Sequence, residues 1–209
     1  MSFWSGYGAS GRGQGSLWDG IRACNTLIAN IDQALDMTQV EKNTWKAEAT
    51  VLKAYYHFLL LNYYGPIPIV DANLPVDASD EELRVHRNTV DEVVNYILNT
   101  LDLSISDLPE RATGSNDLGR MDQVIAHAIK SKVSLYAASP LFNGNSEFYS
   151  DFLNHESVHF FNQNNEISKW ETAAIAAEDA IAAALAQGAE LYKYTGSVPS
   201  HDQSNFQYT

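Results

Sequence analysis

The stretch "EATVLKAYYHFLLLNYYGPIPIV", residues 48–70, restricts what this chain can become more than any other part of it. Together with Trp45, the residues Ala49, Leu52, Tyr56, Leu59 and Tyr63 advance by alternate steps of four and three, the spacing of one buried row on a helix. Ala54, Phe58 and Leu61 form a second row beside it. A helix that is apolar over more than one face needs neighbours on both flanks, so a lone amphipathic helix on a surface is excluded. The tyrosines at this spacing read as core, and His57 as a structural histidine rather than a ligand. Gly65 supplies a left-handed C-terminal cap, and Pro66 forbids continuation.

The neighbours are legible on either side. Leu17, Ile21, Cys24, Ile28, Ile31 and Leu35 recur every three or four residues and predict a first helix. Thr38 and Glu41 have the spacing of a capping box, which starts the long helix near Val40. Thr89 and Glu92 repeat that spacing before Val90, Val93, Ile97 and Leu101, a third helix running to about Asp107. Asp122 is a plausible N-cap for a fourth, with Ile125, Ile129 and Tyr136 facing inward. Ala126, Ala128 and Ala137 would permit close approach, and Pro140 ends the helix. Ser168 and Glu171 form another candidate box ahead of Trp170, Ala174, Ala177, Ile181 and Leu185, with Gly188 as the stop. Strand alternation of useful length is absent. Helices joined by loops predict an all-α fold of helical pairs stacked in a superhelical array, without a strict internal repeat.

Charge and composition remove several functions. The 209 residues are 45% hydrophobic, enough for an ordinary core, and carry 26 acidic against 13 basic residues, a net charge of -13. That balance opposes a nucleic-acid partner, since phosphate binding rests on clustered Lys and Arg. No stretch approaches the roughly 18 apolar residues of a membrane span. The start, "MSFWSGYG", lacks the basic and apolar regions of a secretory signal, so either the chain stays inside the cell or it is a trimmed piece. The single cysteine, Cys24, excludes an internal disulfide and a cysteine-based zinc site and reads as packing.

Two short motifs carry possible chemistry. "HESVH" has the zincin spacing, in which His155 and His159 on one helix hold zinc and Glu156 activates water. Its flanks have loop composition and no third ligand is evident, which favours a chance match, and no metal is expected. "GYGASG", from Gly6 to Gly11, fits a dinucleotide-binding formula but has no preceding strand and no βαβ context. No serine, histidine and aspartate can be named as a triad.

At "EATVLKAYYHFLLLNYYGPIPIV" the chain resembles the E-A-x-x-L-R-A-Y-Y-x-F-x-L-x-x-x-Y-G-x-x-P-x-V helix and exit of the SusD/RagB family of outer-membrane nutrient-binding lipoproteins. Four further elements are similar to that family, in its order: "WDGIRACNTLIANID", "HRNTVDEVVNYILNTLDLSISDLP", "GRMDQVIAHAIKSKVSLYAASPLFNG" and "KWETAAIAAEDAI". The resemblance covers about residues 16 to 190. Lys53 stands where the family has arginine, and Asp122 where threonine is usual.

The resemblance implies an all-α scaffold of tetratricopeptide-like pairs stacked in a right-handed array with long loops. On this reading residues 1–15 are a glycine-rich loop and residues 16–209 the family's N-terminal helical domain, the C-terminal half being absent. It further implies a position at the cell surface, on the outer membrane, through a lipid anchor upstream of this chain. The partner would be a SusC-like TonB-dependent transporter over which the protein sits as a lid. The ligand would be an oligosaccharide or, in some members, a peptide, held by loops, with no catalysis and no cofactor. Trp4, Tyr7 and Arg12, two aromatics and a cation in a segment without helical period, are the expected ligand-binding residues. The rival readings are a helical-repeat scaffold that binds only proteins, and a zinc peptidase acting through "HESVH".

Overall fold

The computed structural model describes residues 16–112 and 114–192. Among these, the helices are α1 (Leu17–Asn30), α2 (Gln39–Tyr64), α3 (Val90–Ile105), α4 (Gln123–Ala138), the single turn α5 (Ser146–Tyr149) and α6 (Ile167–Ala186), with a 3-10 turn at Ile31–Gln33. The only β-type pairing among the described residues is an isolated bridge between Leu153 and His159. Helices pack in series: α1 on α2, α2 on α3, α3 on α4 and α4 on α6. The glycine-rich segment expected at residues 1–15 lies outside the described residues.

Each start is set by local chemistry. Thr38 accepts from the Glu41 N–H while Glu41 accepts from the Thr38 N–H, and Thr89 and Glu92 do the same at α3. Ser16 and Asp19 form an equivalent reciprocal pair at α1. Asp122 caps α4, accepting from Ile125 N at 2.8 Å and, through its other oxygen, from Ala112 N at 3.1 Å. An aspartate has two acceptor oxygens where a threonine has one, so here a single side chain also ties down the preceding loop.

The rows of α2 differ from expectation. Ala54, Phe58 and Leu61 are buried, as the second row predicts, and Val51 and His57 are buried with them. In the first row only Ala49 is buried, while Trp45 and Tyr63 are 45% and 56% exposed. That row faces α1, since Tyr56 lies against Gly20. With 26 residues in α2 and 14 in α1, the rise of about 1.5 Å per residue leaves α2 overhanging its partner by roughly 18 Å. Tyr63, at the C-terminal end of the row, therefore lies past the start of α1, whereas Trp45, at the other end, is covered in part by Arg120. Leu35 is fully exposed because α1 ends at Asn30 and the 3-10 turn redirects the chain.

α6 departs further. It begins at Ile167 without a side-chain cap, so Ser168 and Glu171 do not form the expected box. The start is instead held by Asn143, whose Oδ1 accepts from Glu166 N at 2.8 Å and whose Nδ2 donates to Glu166 O at 3.0 Å. The buried face is Ala173 and Ala176, whereas Trp170, Ile181 and Leu185 are 43%, 60% and 63% exposed. α4 and α6 pack on each other, with Ala173 and Ala176 the buried residues of α6; on α4, Ala126 and Ala137 are buried in the core while Ala128 is exposed. In a helix with alanine on every side, the larger residues mark a row without saying that it is the row the neighbour covers.

Between α4 and α6, Phe142, Tyr149, Phe152, Phe160 and Phe161 form an aromatic cluster, with Tyr149 stacked on Phe161 at 3.7 Å. Phe160 O accepts from Val90 N at 2.9 Å, which fastens this segment to the start of α3. Gly144 has φ +80, and a β-carbon there would lie 2.5 Å from Asn165 N.

Two stability outcomes follow from this packing. Ala176→Leu inserts a branched chain where α4 and α6 touch and should cost about 1–3 kcal/mol. Ile181→Ser, on the uncovered row of the same helix, should stay within about 0.5 kcal/mol of the parent. Urea denaturation of the two variants checks the assignment, and the reverse order would mean that α6 is rotated.

Candidate functional site

The opening helix ends in a junction that is structural throughout. Lys53, buried in α2, donates to Asp71 Oδ1 at 2.9 Å and Asp71 O at 3.1 Å. Tyr96 of α3 donates its hydroxyl to the same carboxylate oxygen at 2.9 Å. Hydrogen bonds from Lys53, joined by that from Tyr96, hold the Asp71 carboxyl below the usual range, while burial and the neighbouring carboxylate push the Tyr96 phenol up. One turn along α2, His57 Nδ1 lies 2.8 Å from Lys53 O, and its Nε2 accepts from Val70 N at 3.2 Å. A ring nitrogen that accepts carries no proton, so His57 is neutral with its proton on Nδ1. Desolvation, reinforced by the Lys53 ammonium, lowers its pKa to about 4.

The "HESVH" residues occupy a hairpin-like turn rather than a helix. Leu153 pairs with His159 across it, Ser157 has φ +62, and the Asn154 carboxamide accepts from Glu156 N and Val158 N. His155 stacks on His86 at 4.5 Å. The zincin geometry needs both imidazoles on one helical face, and this backbone does not provide it. Among the described residues no group of three or more His, Cys, Asp or Glu is arranged to hold a metal ion. Trp4, Tyr7 and Arg12 lie outside the described residues.

A different constellation gathers beside the first turns of α2. Arg120 donates from Nε and Nη2 to Glu48, with the shortest bond 2.8 Å, and from Nη1 to Asp117 at 3.4 Å. Its guanidinium sits 4.9 Å from the centre of the Trp45 ring. Trp45, Glu48, Asp117 and Arg120, with Val40 and Thr44, line a cleft of about 440 Å³. Periodicity assigns Trp45 to a buried row and cannot foresee a partner 72 residues downstream of Glu48. The available signal was local: in "EKNTWKAE" the flanks of Trp45 are polar, unlike those of Phe58.

Comparison with known proteins places this architecture. The family described as SusD-like, "Starch-binding associating with outer membrane", matches residues 15–135. The chain belongs to the SusD-like family. Its fold superposes on the protein BT4246 with a TM-score of 0.75 at 34% identity, covering 85% of this chain and 31% of the other. A SusD-like protein from Bacteroides fragilis matches at 27% identity and TM-score 0.53, over 58% of this chain and 23% of its own. A laminarin-binding SusD-like protein matches at 25% identity and TM-score 0.53, over 58% of this chain and 25% of its own. This chain therefore spans less than a third of the length of these solved relatives. No curated protein matches it. In this SusD-like chain Lys53, which stands where the resemblance has arginine, forms an ion pair with Asp71. The Glu48–Arg120 bridge joins the E-A and G-R stretches through which the family resemblance was visible.

The neutral His57 makes stability depend on pH. The unfolded imidazole titrates near 6.5 and the folded one at about 4. Between those values the unfolded chain binds a proton that the folded chain refuses. The contribution is whole above pH 6.5 and declines as pH falls toward about 4, by roughly 3 kcal/mol in total at about 1.4 kcal/mol per unit. Denaturant titrations between pH 7 and 4 should show that decline on top of the general acid response, and His57→Gln should flatten it. An unchanged slope in the variant would assign the pH dependence to other groups.

Proposed function

We propose that the full-length protein carrying this chain binds glycan at the outer surface of the outer membrane and delivers it to a SusC-like TonB-dependent transporter, as a binding protein and not as an enzyme. The observation that carries this reading is the family match over residues 15–135, with its starch-binding and outer-membrane description. The similarity to a laminarin-binding SusD-like protein points to the same ligand class. A protein of this kind needs a rigid frame from which loops reach the ligand, and five helices packed in series supply one. Attachment would be by a lipid anchor upstream of this chain, as the family resemblance implies.

Trp4, Tyr7 and Arg12 are proposed as ligand-capturing residues in the segment just ahead of α1. Sugar rings present apolar C–H faces that stack on aromatic rings, while a guanidinium donates to hydroxyls. Glycines at positions 6, 8, 11, 13 and 15 remove side chains that would keep the backbone away from a ligand.

A glycan array probed with the full-length protein should give saturable binding to a defined oligosaccharide class, and binding to no glycan would overturn the reading. Calorimetry with the identified glycan should then show Trp4→Ala weaker by about 1–3 kcal/mol, the loss of an aromatic anchor, at an unchanged melting temperature. Equal affinity would remove this segment from the site.

A further inference from the structure

The cleft between the start of α2 and the loop before α4 has features that the scaffold does not explain. Trp45 is absent from the hydrophobic core and keeps 45% of its surface in solvent. An exposed tryptophan on the first turns of a helix contributes little to folding, yet here its ring is held in place by a guanidinium above it. That guanidinium is itself fixed from two directions, by Glu48 and by Asp117. Gly114 keeps the loop against this arrangement, since a β-carbon there would collide with the Asp117 carboxylate. The platform and its polar partners are thus arranged in advance, which lowers the cost of ordering them around a ligand.

The charge balance narrows the ligand. The charged lining is Arg111 and Arg120 against Glu41, Glu48 and Asp117; Arg120 is matched by Glu48 and Asp117, Glu41 is engaged as the cap of α2, and Arg111 donates to Gln187 O. A phosphate or carboxylate ligand would meet three carboxylates against two guanidinium groups, in a chain of net charge -13. A neutral ligand with hydroxyls meets no such opposition. The bonds to Glu48 and Asp117 use Nε and one N–H on each terminal nitrogen of Arg120, which leaves one N–H on each of them to donate. Carboxylate oxygens supply acceptors beside them. The volume of about 440 Å³ falls within the roughly 300–1,000 Å³ of small-ligand sites.

We infer that the Trp45 cleft is a second saccharide subsite, in which a neutral sugar ring packs against the part of the Trp45 indole that Arg120 leaves exposed and its hydroxyls meet Arg120, Asp117 and Glu48. It rests on the glycan-binding reading above but uses residues separate from Trp4, Tyr7 and Arg12. Two subsites on one rigid frame would let a long polysaccharide be held at two points, raising avidity without a new high-affinity contact.

The test is an NMR titration of the full-length protein labelled at tryptophan indole nitrogens, with maltoheptaose and laminarihexaose as probes, alongside calorimetry of Trp45→Ala and Trp45→Phe. The Trp45 signal, assigned by its loss in Trp45→Phe, should shift saturably with one of the probes. Binding at this subsite should weaken about tenfold in Trp45→Ala and largely survive in Trp45→Phe, with melting temperatures close to the parent. If a probe binds but leaves the Trp45 signal unmoved and Trp45→Ala binds as well as the parent, the cleft is a structural clamp and the inference falls while the function stands. If neither probe binds wild type and a glycan array is also blank, the function falls and the subsite with it.

Discussion

The reversal after α2 is the constraint on which the arrangement depends. A helix apolar on several sides has to be enclosed, and the chain leaving it at Gly65, with φ +68, must turn back along it to begin that enclosure. The returning segment is extended and cannot satisfy its own backbone groups. Two side chains of α2 do this for it. His57 accepts from Val70 N, and Lys53 donates to the Asp71 carbonyl and carboxylate. Further links come from outside α2: Asn25 of α1 donates to Val70 O, Asn88 accepts from Ile69 N, and Tyr96 of α3 reaches Asp71. One short stretch of chain thereby sets the positions of three helices.

The ammonium of Lys53 is the costly member of this junction. Its side chain is only 7% exposed while Asp71 is 72% exposed, so the positive charge loses more hydration than its partner does. A carboxylate and a carbonyl at hydrogen-bond distance offset that loss, and a longer guanidinium at this position would place its charge elsewhere. Beyond α2 the frame is tied by separate clamps. Lys130 pairs with Asp102 between α4 and α3, Lys169 with Asp91 between α6 and α3, and Arg120 with Glu48 across to α2. Acidic side chains also serve the helix starts, where backbone N–H groups and hydroxyls hold the carboxyls of Asp19, Glu41 and Glu92 below their usual range. Part of the negative charge is thus committed to architecture.

For a binding protein this division of labour has a consequence. The helices are fixed by buried rows and paired polar groups, so ligand contacts fall to surfaces that the packing leaves free. The Trp45 cleft lies where the loop before α4 meets the first turns of α2, and the uncovered row of α6 exists because alanines take the contact with α4. Both surfaces are by-products of how neighbouring elements meet.

Local chemistry was readable in the sequence where a few adjacent residues decide the outcome. The boxes at Thr38–Glu41 and Thr89–Glu92, the cap at Asp122 and the stops at Gly65 and Gly188 all act within one turn, and five helices in family order made the fold and kinship visible. Ser168–Glu171 had the same spacing and failed, because Asn143, more than twenty residues earlier, starts α6 sooner. Periodicity also distinguished the rows of α2 and α6 without saying which of them a neighbour would cover. That depends on the length of the partner helix and on where small residues permit contact, quantities that belong to pairs of elements. The meeting of Trp45, Glu48 and Arg120 is of the same kind: no residue of "EKNTWKAE" specifies what lies across the cleft. Only the packing of α2, the loop before α4 and α4 itself brought those side chains within hydrogen-bond distance.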